Sequence, residues 1–341
     1  MPIVTIGIDL AKNVFAIHGV DDAGKPALVK PRVPRDQLLT LIAQLPPCLI
    51  GMEACSGAHH WARVFQQYGH TVKLMAPKLV TPYRMSGKRG KNDAADAAAI
   101  CEAVTRPSMR FVPLKDEHQQ ATLCLHRTRQ GFVEERTAVY NRMRGLLSEF
   151  GVVLPQSPER LRREIGTHLD ALPGWVRRCV SDLLEHVGNI EDRLAEYDRA
   201  IGEIARTDER SKRLMKLRGI GPTTASALLA SIGAGHDFRN GRQVAAWIGL
   251  TPSQYSSGGK ERLGTITKTG DAYLRNLLVL GARSVMASLG DKQDRFSRWV
   301  RNLVERRGYW RTAVAIAAKN ARLAWATLKY GEAFKHEPAT A

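Results

Sequence analysis

Two aspartates stand three residues apart in the stretch GKRGKNDAADAAAI, directly behind a run of cations. The spacing of Asp93 and Asp96 puts both carboxylates on one face of a helix. Two more acids close apolar runs: Asp9 ends the run 3–9, and Glu53 follows the run 48–52. If these acids meet, they repel one another by several kcal/mol in total at an effective dielectric near ~20. Hard divalent cations offset such repulsion, and carboxylate oxygens are the ligands that Mg²⁺ prefers. Two ions roughly 3.5–4 Å apart form a clamp that stabilises the attacking and leaving oxygens of phosphoryl transfer. On this reading Asp9, Glu53, Asp93 and Asp96 bind a pair of Mg²⁺ ions. The neighbouring Arg84, Lys88, Arg89 and Lys91 then hold the phosphate backbone on which the metal works. Each acid taken singly also reads as a solvated charge or a helix cap, and Asp93, beside Asn92 at a helix start, is a capping candidate. The joint placement favours the metal site.

The elements that must position these acids read as alternating strands and helices. Strands are expected over 3–9 and 14–20, followed by the turn residues DDAGK and a short strand over 27–30. Leu38, Leu39, Leu41, Ile42 and Leu45 follow helical spacing, with Asp36 near the helix start. A strand over 48–52, a helix over 59–68 closed by Gly69, and a strand over 71–75 precede the Asp93 helix. In a sheet where the first and fourth strands are neighbours, Asp9 and Glu53 emerge side by side. A helix packed across that sheet brings Asp93 and Asp96 to the same spot. This is a ribonuclease-H-like order, and it predicts an α/β catalytic domain over residues 1–116.

Residues 117–210 read as helical. Val133, Val139, Met143, Leu146, Leu147 and Phe150 form one apolar stripe, which Pro155 breaks. Leu183, Leu184, Val187, Ile190, Leu194, Tyr197, Ile201 and Ile204 give a near-heptad series, which suits a helical hairpin or short coiled coil and equally an ordinary amphipathic helix. Residues 211–341 read as a mainly helical third domain. It opens on LRGIGPTTASALLASIG, carries a Ser/Gly-rich loop, SSGGKERLG, and continues with helices over 272–287, 295–306 and 312–328. Trp299, Trp310 and Trp325 sit at helical positions and are expected in the core rather than as base-stacking platforms.

Lys and Arg outnumber Asp and Glu by 51 to 33, a formal charge of +18 that attracts polyanions. No apolar run is long enough to span a bilayer and the N-terminus has no basic n-region, so neither a membrane span nor a signal peptide is expected. The five cysteines are scattered and never form a C-x-x-C pair. They are expected as buried free thiols in a reducing cytoplasm.

The stretches GIDLAKN around Asp9, GMEACSG around Glu53 and KNDAADA around Asp93 and Asp96 resemble the motifs of the DEDD-type insertion-sequence transposases. These form the insertion-sequence one-ten family, related to the Piv invertases. LRGIGPTTASALLASIG, QVAAWIGLTPSQYSSGG and the KTGDAYLRNLL segment also match, so the resemblance spans nearly the whole chain. It implies a RuvC-like catalytic domain bearing the acid tetrad, a helical insertion, and a C-terminal transposase domain with a serine nucleophile. That serine falls on Ser257, immediately before Gly258, with Ser256 as the alternate. The resemblance further implies donor and target DNA as substrates and a structured bridge RNA that pairs with both. A homo-oligomer, dimer or tetramer, with a composite active site is implied as well, acting in the bacterial cytoplasm at the nucleoid.

Ser257 also reads as part of a flexible Gly/Ser turn. Gly219 and Gly221, before the following helix, resemble a helix-hairpin-helix element whose backbone amides meet a phosphate; a tight turn before a helix has the same pattern. Lys260, Arg262, Lys268 and Arg275 are candidate nucleic-acid contacts, and Arg239, Arg242, Arg306, Arg307 and Arg311 are plausible backbone contacts. Two other functions compete with a serine recombinase. One is a metal-dependent endonuclease or Holliday-junction resolvase that uses water; the other is a non-catalytic nucleic-acid-binding protein.

Overall fold

The structure is a computed structural model that describes residues 2–84 and 92–332; Lys88, Arg89 and Lys91 lie outside the described residues. The chain divides into two compact units, Met1–Glu117 and His118–Ala341.

The first unit is built on a six-stranded mixed sheet in the order β3-β2-β1-β4-β5-β6. Its strands are β1 (Thr5–Asp9), β2 (Val14–Val20), β3 (Pro26–Pro34), β4 (Leu49–Glu53), β5 (Thr71–Met75) and β6 (Phe111–Val112). β1 pairs antiparallel with β2 and parallel with β4, and β4 pairs parallel with β5. This sheet is consistent with the ribonuclease-H-like order expected from the sequence. The third strand is longer than the expected 27–30, because it follows β2 through two register shifts as far as Pro34.

Period-two alternation assigns the two faces. Ile6 and Ile8 of β1 and Ile50 and Met52 of β4 are fully buried in one core. They pack there with Leu38 and Ile42 of α1 (Arg35–Ala43) and Trp61 and Phe65 of α2 (Ala58–Gln67). The intervening residues, Gly7 and Gly51, face the other side. There, beyond the short α3 (Pro77–Val80) and a 3₁₀ turn (Thr81–Tyr83), α4 (Asp93–Val104) lies across the sheet.

In the second unit α5 (Glu117–Ser148), α6 (Pro158–Leu169) and α7 (Gly174–Thr207) share an apolar core that includes Val139, Met143, Leu147, Leu161, Ile165 and Val187. The heptad positions Val187, Ile190, Leu194 and Ile201 are buried. A further core joins α8 (Glu209–Met215), α9 (Pro222–Ile232), α10 (Gly241–Trp247), α11 (Ala272–Ala287), α12 (Arg295–Arg307) and α13 (Tyr309–Tyr330). Buried His126 of α5 ties these layers together, with Nδ1 3.0 Å from the Tyr273 hydroxyl and Nε2 3.1 Å from Ser226 Oγ. Burial, with Arg129 nearby, holds the His126 pKa down at about 4.

Three expectations change. The Ser/Gly-rich loop belongs to a two-stranded hairpin, β7 (Pro252–Gln254) with β8 (Leu263–Ile266), because two adjacent glycines allow a tight turn. Of the cysteines, Cys48 and Cys101 are buried, whereas Cys55, Cys124 and Cys179 are exposed on helix surfaces or loops. Trp325 is buried as expected, but Trp310 is exposed, because it sits at the first turn of α13 beyond the packed stripe. Among the described residues no helix is long and apolar enough to cross a membrane.

Candidate functional site

The acid cluster follows from the alternation that builds the sheet. Ile8 pairs with Met52 in the parallel β1–β4 ladder, so Asp9 and Glu53, one residue further on, leave the sheet side by side. Both share the face of Gly7 and Gly51, two residues before them, and that is the face α4 covers. The approach is close. A Cβ on Gly7 would stand 2.2 Å from the Ala97 carbonyl oxygen and 2.3 Å from the Cys101 nitrogen. A Cβ on Gly51 would stand 2.7 Å from Val104 Cβ. Only glycine lets the helix backbone rest on the strands, and the alanine-rich face of α4 completes the fit.

The first turn of α4 then carries its two acids to the strand ends. The capping duty falls on Asn92, whose side-chain oxygen accepts from the Ala95 N–H at 2.8 Å. Asp93 is therefore not the cap that its position suggested. Asp93 is exposed and Asp96 is only 4% exposed. Asp9 is pushed up to about 6, chiefly by burial and then by the negative charges of Asp96, Glu53 and Asp93. Each of the other three acids thus acts on Asp9 through its charge. The Cys55 thiol borders it too, raised by burial and by Glu53 and Asp9.

Arg84 is the counter-charge. Its Nε lies 2.7 Å from Asp96 Oδ1 and its Nη2 3.5 Å from Glu53 Oε1, and the guanidinium lowers the Asp9 pKa. It was expected on the phosphate backbone; in the structure it bridges two of the acids. The Arg84–Asp96 contact is an ion pair without hydrogen-bond alignment, and both atoms are buried with no hydrogen bond among the described residues. Carboxylate oxygens are hard donors that suit a divalent cation, and Asp96 Oδ1 has the Arg84 guanidinium as its charge partner in this structure. Among the described residues, however, no three acid, imidazole or thiol side chains stand close enough to hold a metal as they are. The donor chemistry fits the ion; a closed ligand cage is not on view.

Ser257 lies at the tip of the β7–β8 hairpin in the second unit. It pairs with Lys260 across Gly258 and Gly259, whose φ values of 56° and 76° match a type I′ turn. The two serines differ. Ser256 Oγ accepts from Gln254 Nε2 at 2.9 Å and from the Arg262 N–H at 3.3 Å. The Ser257 hydroxyl has no hydrogen bond among the described residues. The hairpin base is fixed by close backbone contact. A Cβ on Gly249 would lie 2.2 Å from the Thr269 oxygen, and one on Gly270 would lie 1.8 Å from the Trp247 oxygen. Arg275, half-buried, donates to the Ile248 carbonyl at 2.9 Å and so braces this base. Lys268 takes a left-handed φ of 52° there, and Lys260, Arg262 and Lys268 are exposed.

Gly219 has a packing reason of its own. Its φ is 84°, and a Cβ on it would meet the Gly281 carbonyl oxygen of α11 at 2.6 Å. Gly221 is the exposed N-cap of α9. A cavity of about 220 Å³ beside Gly219 is lined by Ser284, Ser288, Lys292, Ser297 and Arg218, whose guanidinium pairs with Asp294 at 3.0 Å. Sequence reasoning missed Gly7, Gly51 and the bridging role of Arg84. The repeated glycine two residues before each strand-end acid, GID and GME, was the available signal for the first two.

Comparison with known proteins gives the family. Residues 6–152 match a model of DEDD-type transposases, and residues 211–298 match the family described as "Transposase IS116/IS110/IS902 family". The chain is 46% identical to a "Probable family 20 transposase" of Pseudomonas aeruginosa, over 96% of this chain and 97% of the relative. It is 41% identical to the "Transposase for insertion sequence element IS1328" of Yersinia enterocolitica, over 98% of this chain and 99% of the relative. It is 38% identical to the "Transposase for insertion sequence element IS1111A" of Coxiella burnetii, over 97% and 91% respectively. The chain belongs to the IS110/IS116/IS902 family of insertion-sequence transposases.

Proposed function

We propose that this transposase cuts and rejoins DNA strands through a covalent phosphoserine formed on Ser257, with Asp9, Glu53, Asp93 and Asp96 as its metal-binding acids. The observation that supports the reading is that Asp9 and Glu53 end the paired strands β1 and β4, and that the charges of Glu53, Asp96 and Asp93 all reach Asp9. Mg²⁺, when bound by these acids, would neutralise charge on the phosphate and its leaving oxygen.

Ser257 Oγ attacks the phosphorus of a strand phosphodiester. A serine–phosphate ester forms, one sugar–oxygen bond to phosphorus breaks, and the released hydroxyl takes up the proton that the serine gives up. The hydroxyl of the incoming strand then attacks the phosphoserine, a new phosphodiester forms, and the serine regains its proton. Esters are exchanged one for one, so no external energy source is needed. The Ser257 hydroxyl, without a hydrogen bond among the described residues and set against the doubly hydrogen-bonded Ser256, supports Ser257 as the nucleophile. Exposed Lys260, Arg262 and Lys268 on the same hairpin and loop would hold the flanking phosphates.

The acids lie on one compact unit and the serine on the other, so neither unit alone has a complete set. We assign the assembled enzyme to a homo-oligomer with a composite site. A bridge RNA would choose the donor and target sequences; the net charge of +18 and the family resemblance support a polyanionic partner. The test is Ser257→Ala beside Ser256→Ala on a labelled recombination substrate. Ser257→Ala should lose both strand exchange and the covalent DNA adduct while keeping DNA binding, and Ser256→Ala should keep adduct formation. A Ser257→Ala protein that still cuts without an adduct would favour a water-using resolvase. Asp9→Asn cleaving like the unaltered protein would dismiss the acid site. Mixing Asp9→Asn with Ser257→Ala restores activity only where the two parts come from different copies.

A further inference from the structure

The corner between α12 and α13 carries an aromatic pair that the core does not use. Trp310 is 64% exposed, although α13 is buried along much of its length. Tyr309 stands edge-on to it, with ring centroids 5.3 Å apart and planes at 89°. From α11, Arg283 lies over the indole, 5.4 Å from its centroid. The stretch ERRGYWR, residues 305–311, surrounds the ring with exposed Arg306, Arg307 and Arg311 against a single glutamate. An indole steadied by an edge-on ring and a guanidinium, open to solvent and ringed by cations, is the pairing of features that binds unstacked bases. Flat π-faces stack on the ring whatever their sequence, and the guanidinium groups follow the backbone.

We infer that Trp310, oriented by Arg283 and Tyr309, is a stacking platform for an unpaired base of a single DNA strand, with Arg306, Arg307 and Arg311 on the adjoining phosphates. Duplex DNA cannot use it, because its base faces are covered by their neighbours. The occupant is chosen by charge complementarity and by the family's substrate: cutting and rejoining strands requires bases to part from their partners near the exchange point. The inference rests on the reading that this transposase acts on DNA, and on neither the serine nor the acid assignment.

The test uses the full-length protein and fluorescence anisotropy with a labelled thymidine strand of about 12 nucleotides, matching the footprint of such surfaces. The RNA strand and the duplex of equal length run beside it. Trp310→Ala should weaken single-stranded DNA binding by roughly 5- to 150-fold, the span of one lost base stack, while Trp310→Phe keeps most of the affinity. Duplex binding should stay within about twofold, since phosphate contacts dominate it. Single-strand binding by Trp310→Ala equal to that of the unaltered protein would overturn the platform, as would an equal loss on duplex or a loss confined to RNA. Thermal melts show whether the variant is folded. The outcome is separable from the serine reading: a Trp310→Ala protein with normal strand binding leaves Ser257 standing, and an inactive Ser257→Ala protein says nothing against Trp310.

Discussion

Gly7→Ala is the most direct probe of how the fold makes the site. The added Cβ would lie 2.2 Å from the Ala97 carbonyl oxygen and 2.3 Å from the Cys101 nitrogen. Ordinary contact begins near ~3.4 Å, so α4 must retreat from β1 by about 1 Å, and the obstacles are backbone atoms that no rotamer change removes. Overpacking of this kind costs about 1–3 kcal/mol, or roughly 4 °C or more in melting temperature for each kcal/mol in a unit of this size. The retreat also carries Asp93 and Asp96 away from Asp9 and Glu53. A misplacement of about 1 Å in a reacting constellation costs on the order of 10²-fold in rate. The assay is metal-dependent DNA strand cleavage, run well below the melting temperature with a thermal melt alongside. Gly51→Ala should follow with a smaller loss, because its Cβ meets the Val104 side chain rather than backbone. A Gly7→Ala protein that is folded and cleaves within about threefold of the parent would refute the reasoning, because the acids would then not depend on how α4 sits on the sheet.

Three further outcomes follow from the geometry. Arg84→Ala strips the counter-charge from Asp96 and Glu53. It should cost about 3 kcal/mol in a chelating buffer, and millimolar Mg²⁺ should raise its melting temperature more than the parent's; equal responses to Mg²⁺ would count against a divalent site. His126 is neutral in the fold, with its pKa depressed to about 4 from an ordinary 6.5. Its contribution to stability is therefore complete above pH 6.5 and is lost as pH falls from 6.5 toward 4, because the unfolded chain takes the proton first. The full loss is about 3 kcal/mol, and denaturant melts across that range should show a shallower pH slope in His126→Gln; an unchanged slope would place the pH dependence elsewhere. Gly188 lies inside α7 with nothing within 4 Å of an added Cβ, so Gly188→Ala should stabilise the protein by about 0.5–1 kcal/mol in the same melts.

The sequence made the first unit legible because its signals are local and periodic. Two five-residue strands end on Asp9 and Glu53, and their parallel pairing follows from the order of strands and helices. What it did not disclose is how near α4 comes, because a glycine in a strand marks a close approach without naming what approaches. Gly7 and Gly51 gain their meaning only once Ala97 and Val104 are seen above them. The ion pairs of Arg84 were hidden for a related reason. A cation before a basic run looks like a phosphate contact, and only the fold shows its guanidinium beside Asp96. In the second unit the heptad-like stripe foretold burial at Val187, Ile190 and Leu194, whereas Trp310 obeyed the same spacing and is exposed. Periodicity assigns a residue to a face of its helix; whether another element covers that face at the first turn is a tertiary fact. The hairpin at Ser257 shows the converse. A run of serine and glycine reads as a loop until two left-handed glycines are seen to close a turn, and the Ser256 hydroxyl then accepts from the Gln254 amide and the Arg262 N–H, whereas that of Ser257 has no hydrogen bond among the described residues.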